Sequence, residues 1–250
     1  MTFPDHFSES ADHYLRFRPN YPRPLYERLA ELAPGHERCW DVATGSGQAA
    51  VSLADFFAEV IATDASADQV ARALPHPRVR YRVERAEASS LADASVDLVT
   101  IAAGLHWLDV DAFYREVLRV TRAGAIVAAW SYGTHAVVDP AIDAIVARYA
   151  SDVLADYWST HYIHVRSRYL DLPFPFAEVP MPALSIRVEW SVDDLLGAMG
   201  TWSASTIFRR QTGSDPTDVI RADMLTAWGD APTRTVEMPL FFRVGRVGAP

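Results

Sequence analysis

The 250-residue chain contains no lysine; all 23 of its basic side chains are arginine. A Walker phosphate loop, a Schiff-base enzyme and a Tyr/Lys dehydrogenase each need a particular lysine amine, so none of them can be built from this sequence. Asparagine is almost as scarce, at the single position Asn20. A GC-rich coding sequence accounts for both shortages, and the exclusion holds either way. The lone cysteine, Cys39, lies in an apolar run that reads as buried, which excludes an intrachain disulfide and a cysteine metal cluster and suits the cytoplasm. Positive charge is also short: 32 acids against 23 arginines give a formal net charge of -9. A nucleic-acid-coating role needs a basic face that displaces counterions, and is not expected. No apolar run reaches the ~18 residues of a membrane helix, and MTFPDHFSES lacks the basic segment and apolar run of a signal peptide. What is present is a chain 50% hydrophobic and 11% aromatic, able to bury a large core. A small molecule is its expected partner, with no nucleic acid and no membrane, and it is expected to be a monomer or homodimer.

From residue 38 to 131, apolar runs alternate with helical patterns, as βα units and a parallel sheet require. The expected order is a strand over Cys39 to Ala43, a helix from Gln48 to Phe57, a strand over Glu59 to Thr63 ending at Asp64, and a helix from Ser66 to Leu74. Strands follow over Val79 to Val83 and Val96 to Ala102, then the helix DAFYREVLRV with Phe113, Val117 and Val120 at helical spacing. Gly124 reads as the stop of that helix, and Ala125 to Trp130 as a fifth buried strand. This predicts a doubly wound, Rossmann-like α/β fold with a mostly parallel sheet of about seven strands. Residues 1–37 read as an N-terminal arm and helix, 38–135 as a cofactor-binding core, and 136–250 as a substrate cap with completing strands, all in a single domain. The helical pattern from Pro140 to Trp158 belongs to the cap, and VEMPLFFRVGRV reads as a returning antiparallel strand.

The stretch DVATGSGQAA joins the first strand to the first core helix through a glycine turn. Strand, glycine turn and helix start make a nucleotide site, because glycines let a ligand approach the backbone. With Gly45, Gly47 and Ala50 the dinucleotide pattern G-x-G-x-x-G/A is formally met, which keeps a nicotinamide cofactor in view. Asp41 argues otherwise. A carboxylate at this strand end repels a pyrophosphate but suits a ligand carrying an ammonium and a sulfonium, S-adenosylmethionine. Asp64, 19 positions after Gly45, is placed to accept both ribose hydroxyls of either cofactor. Glu87 falls after the third strand, where an adenine pocket would lie, and Asp97 reads as a structural cap.

These residues resemble the class I S-adenosylmethionine-dependent methyltransferases, and above all the small-molecule branch of trans-aconitate methyltransferase-like proteins. The resemblance rests on FSESADHYLRFRPNYP at 7–22, WDVATGSGQAA at 40–50, Glu87 in AEAS, GLHWLD at 104–109 and TWSAS at 201–205. Ala43 and Thr44 stand where many members have glycine. The resemblance implies that Gly45 and Gly47 pass under the methionine portion, that Asp41 helps hold its ammonium side, and that Asp64 binds the ribose. Glu87 and Ala88 would flank adenine, with Ala43, Thr44, Ala65, Gln69 and Ala103 completing the cofactor site. The N-terminal arm would fold over it, giving Tyr14, Arg18 and Tyr21 roles as lid or carboxylate contacts.

Methyl transfer from a sulfonium is an in-line displacement, so few side chains are obligatory. His106, after the fourth strand, lies where substrate and cofactor should meet and is the candidate general base, with Trp107 as a pocket wall. A carboxylate acceptor needs cations rather than a base, and Arg166, Arg168, Arg209 and Arg210 are candidates for a bidentate clamp. Tyr157, Trp158, Tyr162 and Trp202 are candidate apolar walls. Arg78, Arg80 and Arg82 read as the charged guard of an edge strand. His161 and His164 lack the partners of a metal site, and no metal is expected. Two other readings stay open on these residues: a nicotinamide-dependent oxidoreductase, and a non-catalytic module that binds S-adenosylmethionine.

Overall fold

The apolar runs become the strands of one sheet. In the computed structural model, which describes residues 20–134 and 139–248, the strands are β1 (Arg38–Val42), β2 (Glu59–Asp64), β3 (Val79–Val83), β4 (Val96–Ala102), β5 (Thr121–Tyr132), β6 (Ala177–Glu178), β7 (Ser185–Trp190) and β8 (Arg234–Arg246). Their order is β3-β2-β1-β4-β5-β8-β6. The first five run parallel, and β8 returns antiparallel beside β5, as VEMPLFFRVGRV foretold. The expected sheet of about seven strands is present, with β7 as an additional member paired to the first half of β8. The chain order β1-β2-β3 runs outward and then jumps back to β4 beside β1. That reversal opens a crevice at the carboxyl ends of β1 and β4, where ligands of doubly wound sheets lie.

Helices α1 (Arg23–Leu32), α2 (Gln48–Leu53), α3 (Ala67–Ala71) and α4 (Val110–Val120) connect and cover these strands. The core helices α2 and α3 are shorter than their patterns suggest. In α2 the last turn tightens, with Phe56 N donating to Leu53 O at 2.9 Å, and Phe57 turns into the core. In α3 the helix cannot continue to Leu74, because Pro75 bars that residue from the helical region and Leu74 N is already bonded to Ser46 O at 2.9 Å. Helix α4 begins at Asp109, whose carboxylate accepts from Ala112 N, and buries Phe113, Val117 and Val120 as its spacing requires. Gly124 does not end it. Thr121 turns extended at once and starts β5, and Gly124 sits at φ +79° inside a bulge between the Val96–Thr121 and Leu98–Ile126 pairs.

Beyond β5 lie α5 (Pro140–Arg148), α6 (Tyr162–Arg166), α7 (Val192–Gly200), α8 (Ser203–Thr212) and α9 (Asp218–Trp228). The pattern read as one helix from Pro140 to Trp158 is helical in segments: α5, a π-turn over Tyr149–Val153 and a 3₁₀ turn over Ala155–Tyr157. This cap has its own core of Ile142, Tyr149, Leu195, Met199, Trp228 and Met238. Tyr21 and Leu240 pack against both that core and the layer on one face of the sheet, joining the two. Among the described residues no helix is long and apolar enough to cross a membrane.

Candidate active site

A cavity of about 280 Å³ lies over the carboxyl ends of β1, β2 and β4 and extends under the cap. Its floor is backbone. At the ends of the adjacent strands β1 and β4, Ala43 (φ +51°) and Ala103 (φ +52°) both adopt the left-handed conformation. Each costs about 1–2 kcal/mol in an L-residue. Thr44 N bonded to Thr63 O at 3.0 Å, and Ala103 N bonded to Trp130 O at 2.8 Å, hold the two turns in place. Gly104 packs closely against this floor: a Cβ there would lie 3.0 Å from the Ala43 methyl, tighter than an ordinary contact.

The acids are arranged in two layers. Asp64 borders the cavity at 9% exposure, and its carboxylate accepts from Gly45 N and Ser66 N, both at 2.9 Å. A carboxylate oxygen can accept more than one hydrogen bond, so this anchoring is compatible with taking a ligand hydroxyl as well. Asp41 lies beneath the floor at 1% exposure, and does not line the cavity. Thr100, its register partner on β4, and Thr44 each donate a hydroxyl to it at 2.6 Å. Burial pushes the Asp41 carboxyl up to about 6, against the pull of those two hydroxyls. Asp41 therefore acts on the cavity by shaping the turn through Thr44 and by its charge. Glu87 does line the cavity, with Oε1 accepting from Asp109 N at 3.2 Å and Oε2 3.3 Å from Arg85 Nε.

Of the other expected cofactor residues, Ala43, Thr44, Gly45, Ala65, Gln69 and Ala103 line the cavity, while Gly47 and Ala88 do not. Gly47 (φ +82°) faces away, against Tyr81, where a Cβ would fall 2.1 Å from the phenol oxygen. That hydroxyl is itself fixed, donating to Leu74 O at 2.7 Å. Tyr14 and Arg18 lie outside the described residues.

On the cap side, Tyr21, His106, Trp107, Tyr162 and Trp202 come together on the same cavity, joined by Tyr132, Trp158 and Trp190. Trp158 and Tyr162 stack with centroids 3.7 Å apart, and Tyr21 meets Trp130 edge-on at 5.5 Å. Burial raises the Tyr162 phenol above its ordinary range, so it stays protonated at neutral pH. The expected arginine clamp does not form here. Arg166 and Arg168 border a neighbouring cavity, and Arg209 is held by Gly200 O at 2.6 Å and Asp215 at 3.5 Å, on neither cavity. Arg85 is the one arginine among the described lining residues of the main cavity, and it is paired with Glu87.

His106 sits on the short 3₁₀ turn Leu105–Trp107, and its Nδ1 is 3.0 Å from the Tyr169 hydroxyl. Sequence reading missed Tyr169. It is fully buried at φ +62°, after Arg168 at φ +56°, and its carbonyl accepts from Arg243 at 2.8 Å. The paired left-handed residues were the hidden feature, and they carry no sequence signature in non-glycine residues. Asp97 is structural, accepting from Glu37 N, Arg38 N and Arg122. His164 pairs with Asp171 at 2.7 Å, and His161 packs on Trp107.

A family profile described as a methyltransferase domain matches residues 40–129, the sheet and turns just described. A Dictyostelium discoideum protein named as a methyltransferase is 28% identical over 246 residues, covering 96% of this chain and 94% of that protein. The structure of a protein from Anaeromyxobacter dehalogenans, described as a type II methyltransferase, is 44% identical, with a TM-score of 0.87, and the match covers 93% of this chain and all of that one. A Haemonchus contortus phosphoethanolamine N-methyltransferase, solved with S-adenosylhomocysteine, shares the fold at 15% identity and a TM-score of 0.51, over all of this chain and 61% of its own. Nothing among these matches supports a nicotinamide enzyme. The glycine turn, the carboxylate of Asp64 at the cavity's edge and the adjoining cavity fit S-adenosylmethionine as cofactor, and the chain belongs to the class I S-adenosylmethionine-dependent methyltransferases.

Proposed function

We propose that the enzyme methylates a hydroxyl group on a flat, largely apolar small molecule. One observation carries this reading: a single cavity runs from the glycine turn, past Ala103 and His106, into the aromatic cap. A sensing module has no use for the second half of such a cavity. When bound, S-adenosylmethionine supplies a methyl group on a sulfonium. Asp64 would hold the ribose hydroxyls, Glu87 and Ala86 would lie along adenine, and the backbone from Ala43 to Gly45 would face the methionine portion.

The cap residues would hold the acceptor. Trp107, Trp158, Tyr162 and Trp202 offer faces to a planar body and exclude water from the reacting end. A carboxylate acceptor, the expectation taken from the trans-aconitate-like branch, would need an unpaired cation, and the described lining gives none beyond the paired Arg85. A hydroxyl needs its proton removed instead, and His106 is the imidazole on the cavity. Its Nδ1 contact with Tyr169 fixes the ring, and Nε2 is the atom that would receive that proton.

The test is calorimetry of S-adenosylhomocysteine binding to wild type and Asp64→Ala, followed by an acceptor screen with tritiated S-adenosylmethionine. We expect binding that the substitution weakens at least 100-fold, and label transferred to phenols rather than to aromatic carboxylic acids. Transfer to the acids alone would overturn the hydroxyl reading, and S-adenosylhomocysteine binding untouched by Asp64→Ala would overturn the cofactor site.

A further inference from the structure

A second cavity adjoins the first. Its volume is about 720 Å³, and Gly133, Thr134, Trp158, Tyr162 and Val165 line both. The stacked Trp158–Tyr162 pair thus forms part of the boundary that the two cavities share. The chemistry differs on the two sides. The described lining of the second cavity includes no aspartate or glutamate, and its charged residues are Arg166 and Arg168. In a chain of net charge -9, most arginines near an acid are engaged by it: Arg119, Arg122, Arg187 and Arg234 each have carboxylate partners. Among the described residues, neither Arg166 nor Arg168 has an ion pair or a side-chain hydrogen bond. Two exposed guanidinium groups with no counter-charge among the described residues, on one concave surface, are a place for an anion.

The position of Arg168 is built rather than incidental. Arg168 and Tyr169 form consecutive left-handed residues at φ +56° and +62°, a conformation that side-chain-bearing residues avoid. The turn is held by Tyr169 N donating to His164 O at 2.7 Å and by Arg243 donating to Tyr169 O at 2.8 Å. One strained turn therefore sets the buried Tyr169 hydroxyl against His106, which lines the first cavity, and Arg168 on the second.

Resting on the reading that the aromatic cavity takes the reacting end of the acceptor, we infer that the acceptor is amphipathic and carries an anionic group, held by Arg166 and Arg168, at the end remote from the methylated atom. The substrate class is a hydroxylated aromatic or similarly flat body with a tail ending in a carboxylate or another anion. Trp158 and Tyr162 then grip the junction between body and tail.

The experiment uses the full chain saturated with S-adenosylhomocysteine, and two probes: a para-substituted phenol with a six-carbon tail ending in a carboxylate, and its primary amide. Their dissociation constants are measured calorimetrically on wild type and on the Arg166→Gln, Arg168→Gln double variant. We expect the acid to bind about five- to tenfold more tightly than the amide on wild type, as two solvent-accessible ion pairs allow. In the variant the two should agree within twofold, with the affinities for the amide and for S-adenosylhomocysteine unchanged. Equal binding of acid and amide to wild type, or a preference that survives in the variant, overturns the anion subsite and leaves the hydroxyl reading standing. Failure of both phenols to bind the loaded protein strikes the acceptor reading itself, and this inference falls with it.

Discussion

The two halves of the cavity are made from different materials. The floor under the glycine turn is main chain, held by amides, two left-handed alanines and a buried acid. The roof is side chain, with rings contributed from Tyr21 to Trp202 by elements far apart in sequence. A main-chain surface has no rotamers with which to adjust, so a methyl group added there must move the fold or block the ligand. A wall of stacked rings can lose one member and re-pack. Constancy of cofactor with variety of acceptor is what such a division allows.

The largest effect should come from the turn that carries the floor. Gly47→Ala forces a side chain onto φ +82° and a carbon to 2.1 Å from the Tyr81 oxygen. We expect a loss of about 2–4 kcal/mol in stability by denaturant titration, and at least a 100-fold weaker affinity for S-adenosylhomocysteine by calorimetry. Wild-type affinity in the Gly47→Ala variant would erase the contrast between floor and roof.

Next comes Asp41. Its carboxyl is raised from 3.8 to about 6, so its contribution to stability is fully present below pH ~4 and is lost as pH rises through about 6. The difference amounts to about 3 kcal/mol at most. Glu116, lowered to about 2 by Arg119 and Ser89, runs the other way: its contribution is present above 4.5 and is lost as pH falls through about 2, so at pH 4 only its first part is gone, equally in wild type and variant. Unfolding free energies at pH 4 and pH 7.5 for wild type and Asp41→Asn isolate the Asp41 contribution, and we expect the variant to show the flatter profile.

On the roof, Trp158→Ala removes one ring of the stacked pair. Acceptor binding should weaken about ten- to thirtyfold, while the dissociation constant of S-adenosylhomocysteine stays within threefold. A parallel loss of both would mean that the halves are not separate. The smallest effect should be Ala43→Gly, which relieves a left-handed alanine but loosens the unfolded chain. A net gain of about 0.5–1 kcal/mol, read as a rise in melting temperature, is expected.

The floor was also the legible half. Buried parallel strands announce themselves as apolar runs, and Asp64 falls at the end of β2 because the turn, α2 and β2 have little freedom in length. Gly124 misled because a glycine after a helix and a glycine in a bulge both need positive φ, and only the β4–β5 register separates them. The role of Asp41 changed for a similar reason. Its place at the strand end was readable, but its orientation toward Thr100 depends on which strand lies beside β1. The roof was legible only in composition. His106 and Tyr169 are 63 positions apart, and nothing in either neighbourhood marks the contact. The arginines of the cap looked interchangeable on paper, yet Arg209 is tied down while Arg168 borders a cavity.

The long strand β8 pairs with β7 through Arg234–Pro239 and with β5 through Leu240–Arg246. For a chain emerging from a ribosome this order has a consequence. Residues Ile126–Tyr132 leave the tunnel as an apolar sheet edge, and their partner is not made until the whole cap has been translated. Until then the nascent protein carries an open strand of the kind that pairs with other chains. Completion of the roof and closure of the sheet are therefore one event in biosynthesis.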